Sequence, residues 1–145
     1  MTTKFGSIAA ALVVALSVPT AVAASVDRAR LRPMGQDQTT AAVVRLLDAE
    51  IEPSSGQGVA SIWATRVAVE LYARSSGASQ TADQAVDALL EAAVNRLMSD
   101  RSLGGLVGDI GLLGLAYDFE GDGNAAACVT LTLNVRHATG ASSIS

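Results

Sequence analysis

Hydrophobic side chains recur along this chain with two distinct periods. From Val59 to Arg74, one parity holds Trp63, Thr65, Val67, Val69 and Leu71, and the other holds Arg66, Glu70, Tyr72 and Arg74 with Ile62, Ala64 and Ala68. Alternation of this length predicts a half-buried antiparallel strand. A second such strand is predicted over Ala125–Ala138, with Ala125, Ala127, Val129, Leu131, Leu133 and Val135 on one face and Cys128, Thr130, Thr132, Asn134 and Arg136 on the other. Between them the period lengthens to that of a helix. Over Thr81–Ser99, Ala82, Ala85, Val86, Leu89, Leu90, Ala93, Val94, Leu97 and Met98 form an apolar stripe opposite Asp87, Glu91 and Asn95, as expected of a helix packed on a sheet. Thr81 is the predicted N-cap, and Asp83 and Gln84 occupy the first turn.

The remaining segments are weaker. Residues 21–32 read as an extended arm or strand in which Arg28, Arg30 and Arg32 share one side at period two. Pro33–Asp37 reads as a loop. Over Thr39–Ile51, Val43, Val44, Leu46 and Leu47 are compatible with a helix or a strand; the strand is preferred, because β-branched residues lead into it and Pro53 follows. Ser54-Ser55-Gly56-Gln57-Gly58 suits a hairpin tip. Over Leu103–Leu115, glycines at 104, 105, 108, 111 and 114 interrupt an apolar run. A turn of helix is expected there, then a strand from Ile110 to Phe119, the glycines marking close backbone packing or a bent edge strand.

The N-terminus supports two readings. Lys4, the apolar run Ile8–Val18 and Ala21-Val22-Ala23 have the form of a secretory leader with its cleavage site. Phe5, Ile8, Leu12, Ala15 and Leu16 equally fit one face of a first helix over residues 3–17, capped by Thr2 or Thr3 and stopped before Pro19. The run is too short for a membrane span.

Composition narrows the class. The 145 residues suit one core, and 50% hydrophobic against 17% charged residues excludes a disordered chain. Trp63, Tyr72, Tyr117, Phe5 and Phe119 are the only aromatics, so Ala, Val, Leu and Ile must build the core. A net charge of −4 is not the basic footprint of a nucleic-acid binder. Cys128 is the single cysteine, which precludes an intrachain disulfide, and with His137 alone beside it no structural zinc site is expected. Asp118–Asn124 has the start of a calcium loop, but position twelve falls on Val129 and the flanks are strands. A hairpin turn at Asp122-Gly123 or Gly123-Asn124 is expected instead. No nucleophile elbow or phosphate loop is present, so no catalysis and no cofactor are expected. The expected class is therefore α+β, a mostly antiparallel sheet of about four to five strands packed by an N-terminal helix and one main helix in a single domain, with residues 139–145 a polar tail.

Residues 60–138 resemble the tail terminator family of siphophages and related tailed phages. The resemblance runs through Ile62–Tyr72, Ala82–Asp87, Val94–Asp100, Leu103–Val107, Leu115–Asp118 and Val129–Val135. Trp63 stands where the family opens its long strand with tryptophan, Met98-Ser99-Asp100 where an M-x-D segment ends the main helix, and Tyr117-Asp118 where Y-D precedes an acidic hairpin. The resemblance implies a structural virion protein at the head-proximal neck of a phage tail. Such a protein forms a homohexameric ring on the tail tube protein, stops tube growth and presents a surface to the head-tail connector or stopper. DNA passes through the lumen without sequence-specific binding. Contacts are expected from Arg28, Arg30 and Arg32, from Ser54, Ser55 and Gln57, and from Glu120, Asp122 and Asn124. The rival functions are a head-tail connector or other minor tail protein, a secreted or periplasmic binding domain with a cleaved leader, and a small enzyme, which would need a concave pocket with convergent polar residues.

Overall fold

The computed structural model describes residues 2–29, 38–53, 60–75, 80–120, 126–140 and 142–145, the side chain of Glu120 excepted. Along the chain run α1 (Lys4–Ser17), β1 (Ser25–Arg28), β2 (Thr40–Ile51), β3 (Ser61–Arg74), α2 (Ala82–Met98), β4 (Asp109–Glu120) and β5 (Ala126–Thr139). The five strands form one sheet in the order β1-β2-β3-β5-β4. Only β1 runs parallel to its neighbour; the other pairings are antiparallel. The fold is α+β, as the sequence predicted.

The centre is the β3–β5 pair, in register without interruption from Ser61↔Thr139 to Arg74↔Ala126. This register puts the alternating apolar residues of both strands on one face. Val67, Val69, Leu71, Val129, Leu131, Leu133 and Val135 are buried there. β2 adds Ala42 and Val44 to that face, opposite Leu71 and Val69. Fourteen residues of matched alternation fix the register firmly, because a one-residue slip would turn every core side chain outward.

Both helices lie on this face. α2 packs over β3 and β5, and α1 over β1 and β2. α1 starts at Thr3, whose Oγ1 accepts from the Gly6 N–H at 3.1 Å. It buries Ile8, Leu12 and Leu16 completely. Its last turn is capped from across the helix layer, where the Arg96 guanidinium donates to the carbonyls of Ala15 (3.2 Å) and Val18 (2.7 Å). A cation there also suits the negative end of the helix. α2 begins at Thr81, whose N–H donates to Gln84 Oε1 at 3.0 Å.

The segment between α2 and β4 departs from expectation. The helical turn predicted there does not form. Leu103, Gly104 and Gly105 all have positive φ (50°, 69° and 90°), which a right-handed helix cannot accommodate. Asp100 instead anchors a tight turn, accepting from Ser102 N–H (3.2 Å), Ser102 Oγ (2.9 Å) and Gly104 N–H (2.8 Å). Close packing explains only Gly108, where a Cβ would lie 3.3 Å from the Arg136 carbonyl. Nothing stands within 4 Å of a Cβ at Gly111 or Gly114. The predicted loop at 33–37, the hairpin tip at 54–58 and the acidic tip at 121–124 lie outside the described residues.

If α1 belongs to the folded body, Leu12→Ala should lower unfolding free energy by about 2–5 kcal/mol in urea titration. An unchanged midpoint would show that α1 does not contribute to the core.

Candidate assembly surfaces

Three surfaces carry the chemistry of this domain. The first is the sheet face away from the helices, which is lined by polar residues. Arg45 Nε donates to Glu70 Oε1 at 2.7 Å, and the Tyr72 hydroxyl donates to the other Glu70 oxygen. Burial pushes the Glu70 carboxyl up, but the hydrogen bonds from Arg45 and Tyr72 outweigh it and hold the group below the usual carboxylate range. Burial, then Glu70, drives the Tyr72 phenol far above its ordinary value, so it stays protonated as the donor. Arg66 grips Asp48 through both oxygens, and Arg136 does the same to Glu52 at 2.8 and 3.0 Å. Such exposed pairs are screened by water and contribute little to stability; their effect is to hold long side chains flat on an uncovered sheet face. Cys128 lies on this face, buried, and desolvation raises its thiol pKa, which makes it a poor nucleophile.

The second surface is β4. After Ile110, which is fully buried, Leu112, Leu113, Leu115, Tyr117 and Phe119 are each between 47% and 55% exposed. Leu115, Tyr117 and Phe119 face the helix side, opposite Leu131, Val129 and Ala127 of β5. Among the described residues, no helix packs over β4 as α1 and α2 do over the other strands. β4 is also the outer strand, so its far edge offers a row of backbone donors and acceptors. A long, apolar, uncovered edge is a template for pairing with another chain.

The third surface lies at the opposite edge, near the start of α1. β1 pairs only with Ala41–Val44 of β2, so Arg45–Ile51 has no outer strand among the described residues. Beside it is an apolar recess of about 330 Å³ lined by Phe5, Leu46, Leu47, Ala49, Trp63 and Thr65, with Asp48 at the rim. The recess floor is fixed by a small cluster. Phe5 meets Trp63 and His137 edge-on at 5.1 and 5.0 Å. Trp63 Nε1 donates to Thr139 Oγ1 at 2.9 Å, and Thr65 Oγ1 lies 2.7 Å from His137 Nε2. His137 is only 3% exposed, and its Nδ1 has no partner among the described residues. Burial, with Lys4 nearby, lowers its pKa below 6.5, so the ring is a neutral part of the core.

Of the predicted contact residues, Arg28 ends β1 and is exposed, its Nη1 3.5 Å from the Gly6 carbonyl. Glu120 ends β4 at the opposite edge of the sheet. The structure therefore separates these two. Arg30, Arg32, Ser54, Ser55, Gln57, Asp122 and Asn124 lie outside the described residues. Sequence reasoning missed the apolar side chains of β4 and the recess. One signal was available: Leu112, Leu113, Leu115, Tyr117 and Phe119 place apolar residues on both parities of one strand, with glycines between. Among the described residues, no three His, Cys, Asp or Glu side chains form a metal site, and no helix is long and apolar enough to cross a membrane.

The class these features define is a two-layer α+β domain with one polar sheet face and, among the described residues, exposed apolar surface at both edges. No protein-family model and no curated protein matches the chain. Among solved structures, it is similar to a chain of the virion of a native gene transfer agent particle, at 11% identity and a TM-score of 0.41, over 88% of this chain and 84% of that one.

His137 gives this region a pH dependence. Its pKa is depressed in the folded state, so unfolding takes up a proton between the folded and unfolded values. Its contribution to stability is full above about 6.5 and is lost as pH falls through the folded pKa. Urea midpoints measured from pH 8 to 5 should fall at the acid end, and His137→Gln should flatten that fall. An equal slope in both proteins would remove His137 as its source.

Proposed function

We propose that this protein is a structural, non-catalytic virion component. In this reading it forms a ring on the head-proximal end of a phage tail tube, stops tube polymerisation and provides the surface for head attachment. The observation that carries the reading is β4, a twelve-residue outer strand whose five large apolar side chains stand half exposed. A soluble monomer gains nothing from such an edge and risks aggregation through it. A subunit built to be completed by neighbours needs one. The resemblance of residues 60–138 to tail terminators supports the particular role. The partners are then further copies of the chain, the tube protein below and the connector or stopper above. DNA crosses the lumen, and a chain of net charge −4 lets it slide without a strong hold.

The rival reading, a secreted binding domain, requires removal of the residues up to about Ala23. That cut would take Ile8, Leu12 and Leu16 out of the core, which supports keeping α1 in the working protein.

Native mass spectrometry and negative-stain microscopy of the purified chain should show closed rings, with six subunits the expected number. A single monomeric species at every concentration up to that of an assembly reaction would overturn the ring reading. A subunit mass beginning near Ala24 would overturn the virion reading.

A further inference from the structure

Among the described residues, β4 and the Arg45–Ile51 stretch of β2 each lack an outer strand, and the two edges are complementary to each other. We propose that β4 of one copy adds to Arg45–Ile51 of β2, which has no outer strand among the described residues, in the next copy, and that its helix-side residues Tyr117 and Leu115 fill the recess beside Leu46 and Ala49. This deepens the ring reading above and rests on it.

Direction and face both allow the pairing. β2 and β5 run one way and β3 and β4 the other. A second copy placed beside β4 with its helices on the same side presents β2 antiparallel to β4. Tyr117 and Leu115 lie on the helix face, since they pair with Val129 and Leu131. Leu46 and Ala49 lie on the same face, since they pair with Val67 and Thr65. The register that sets Tyr117 against Leu46 also sets Asp118 against Arg45 on the polar face. With the irregularity at Leu46/Asp48 taken into account, Leu115 then meets Ala49 and Glu50 faces Gly114, so no acid opposes another.

The geometry also explains why β4 lacks a helix of its own. α1 packs over β1 and β2, so the incoming copy brings its α1 to the uncovered side of β4. After Lys4, α1 has no charged residue, and its outward Ala10 and Val14 are exposed.

A symmetric β4–β4 contact is less favourable. Centred on the strand, it opposes Asp109 of each copy to Glu120 of the other, and like charges directly opposite destabilise a sheet pair. A head-to-tail contact has no such clash and closes into a ring when its rotation permits. Five large apolar side chains at half exposure offer on the order of 500 Å² on β4 alone. With the matching face of the partner, the contact reaches the ~1,000 Å² expected of a specific interface.

Intermolecular disulfide trapping tests the register. In a Cys128→Ala background, the Leu115→Cys/Ala49→Cys double variant should give, on mild oxidation, a ladder of covalent oligomers ending at the subunit number of the ring. Each single variant should stay monomeric on non-reducing gels. Covalent dimers from Leu115→Cys alone would mean a symmetric contact and overturn the proposal. Rings by native mass spectrometry without any ladder would overturn it while leaving the ring reading intact. Absence of rings in the unmodified protein would overturn both. As a second measurement, Leu115→Lys/Tyr117→Lys should abolish rings while keeping the circular dichroism of the parent; rings that persist would overturn the proposed edge.

Discussion

Two helices cover about four strands, and this sheet has five. A helix with its side chains is about 10 Å across and strands lie about 4.8 Å apart. Side by side, α1 and α2 therefore roof β1, β2, β3 and β5, and β4 is left outside. Much of the molecule follows from that mismatch. The covered strands carry a dry core of small aliphatic residues, while β4 carries side chains of the same apolar kind into the open. A single-domain enzyme or carrier would be expected to blunt such an edge with charge, proline or a short strand. β4 has twelve residues and no proline, its charges Asp109, Asp118 and Glu120 stand near its two ends, and its one irregularity falls between Leu112 and Gly114.

The polar sheet face is handled differently, and the contrast is informative. There the arginines lie against carboxylates: Arg45 on Glu70 and Arg66 on Asp48 between the adjacent strands β2 and β3, and Arg136 of β5 on Glu52, just past the end of β2. Those pairs keep the face hydrated and cost little to leave in water. Self-pairing also makes the face a poor landing surface for a partner, because its charges already have partners. Exposed apolar side chains lie instead along β4, beside the end of β2, and on the outer side of α1 at Val14 and Val18.

Much of this was legible in the sequence. The strict parity of Val67, Val69 and Leu71, and of Val129, Leu131 and Leu133, predicts both central strands and their buried face. The stripe from Ala82 to Leu97 predicts α2. His137 shares the parity of Val129–Val135, which is why it is buried rather than displayed. Strand order was not legible: nothing local says that β5 returns between β3 and β4 instead of lying outside the hairpin. The exposure of β4 was not legible either, since leucines and glycines read alike in a covered strand and an open one. That difference depends on how far two helices reach, a property of the whole layer. The charged loop residues singled out for contact fall mainly in segments outside the described residues, so the site rests on side chains no motif marked.

A head-to-tail contact between open edges has two outcomes, closure or indefinite growth. A head-to-tail contact adds copies until the rotation per copy brings the last edge to the first, and a slightly wrong rotation would instead make a helical fibre. The angle must therefore be set by rigid parts. Here the recess floor is rigid for a physical reason: Phe5, Trp63, His137, Thr65 and Thr139 hold one another by edge-on ring packing and hydrogen bonds. The cluster ties the start of α1 to the ends of β3 and β5. Through it the same residues that finish the core also aim the surface on which the next copy would dock, so the precision of a ring could be stored in the packing of a single subunit.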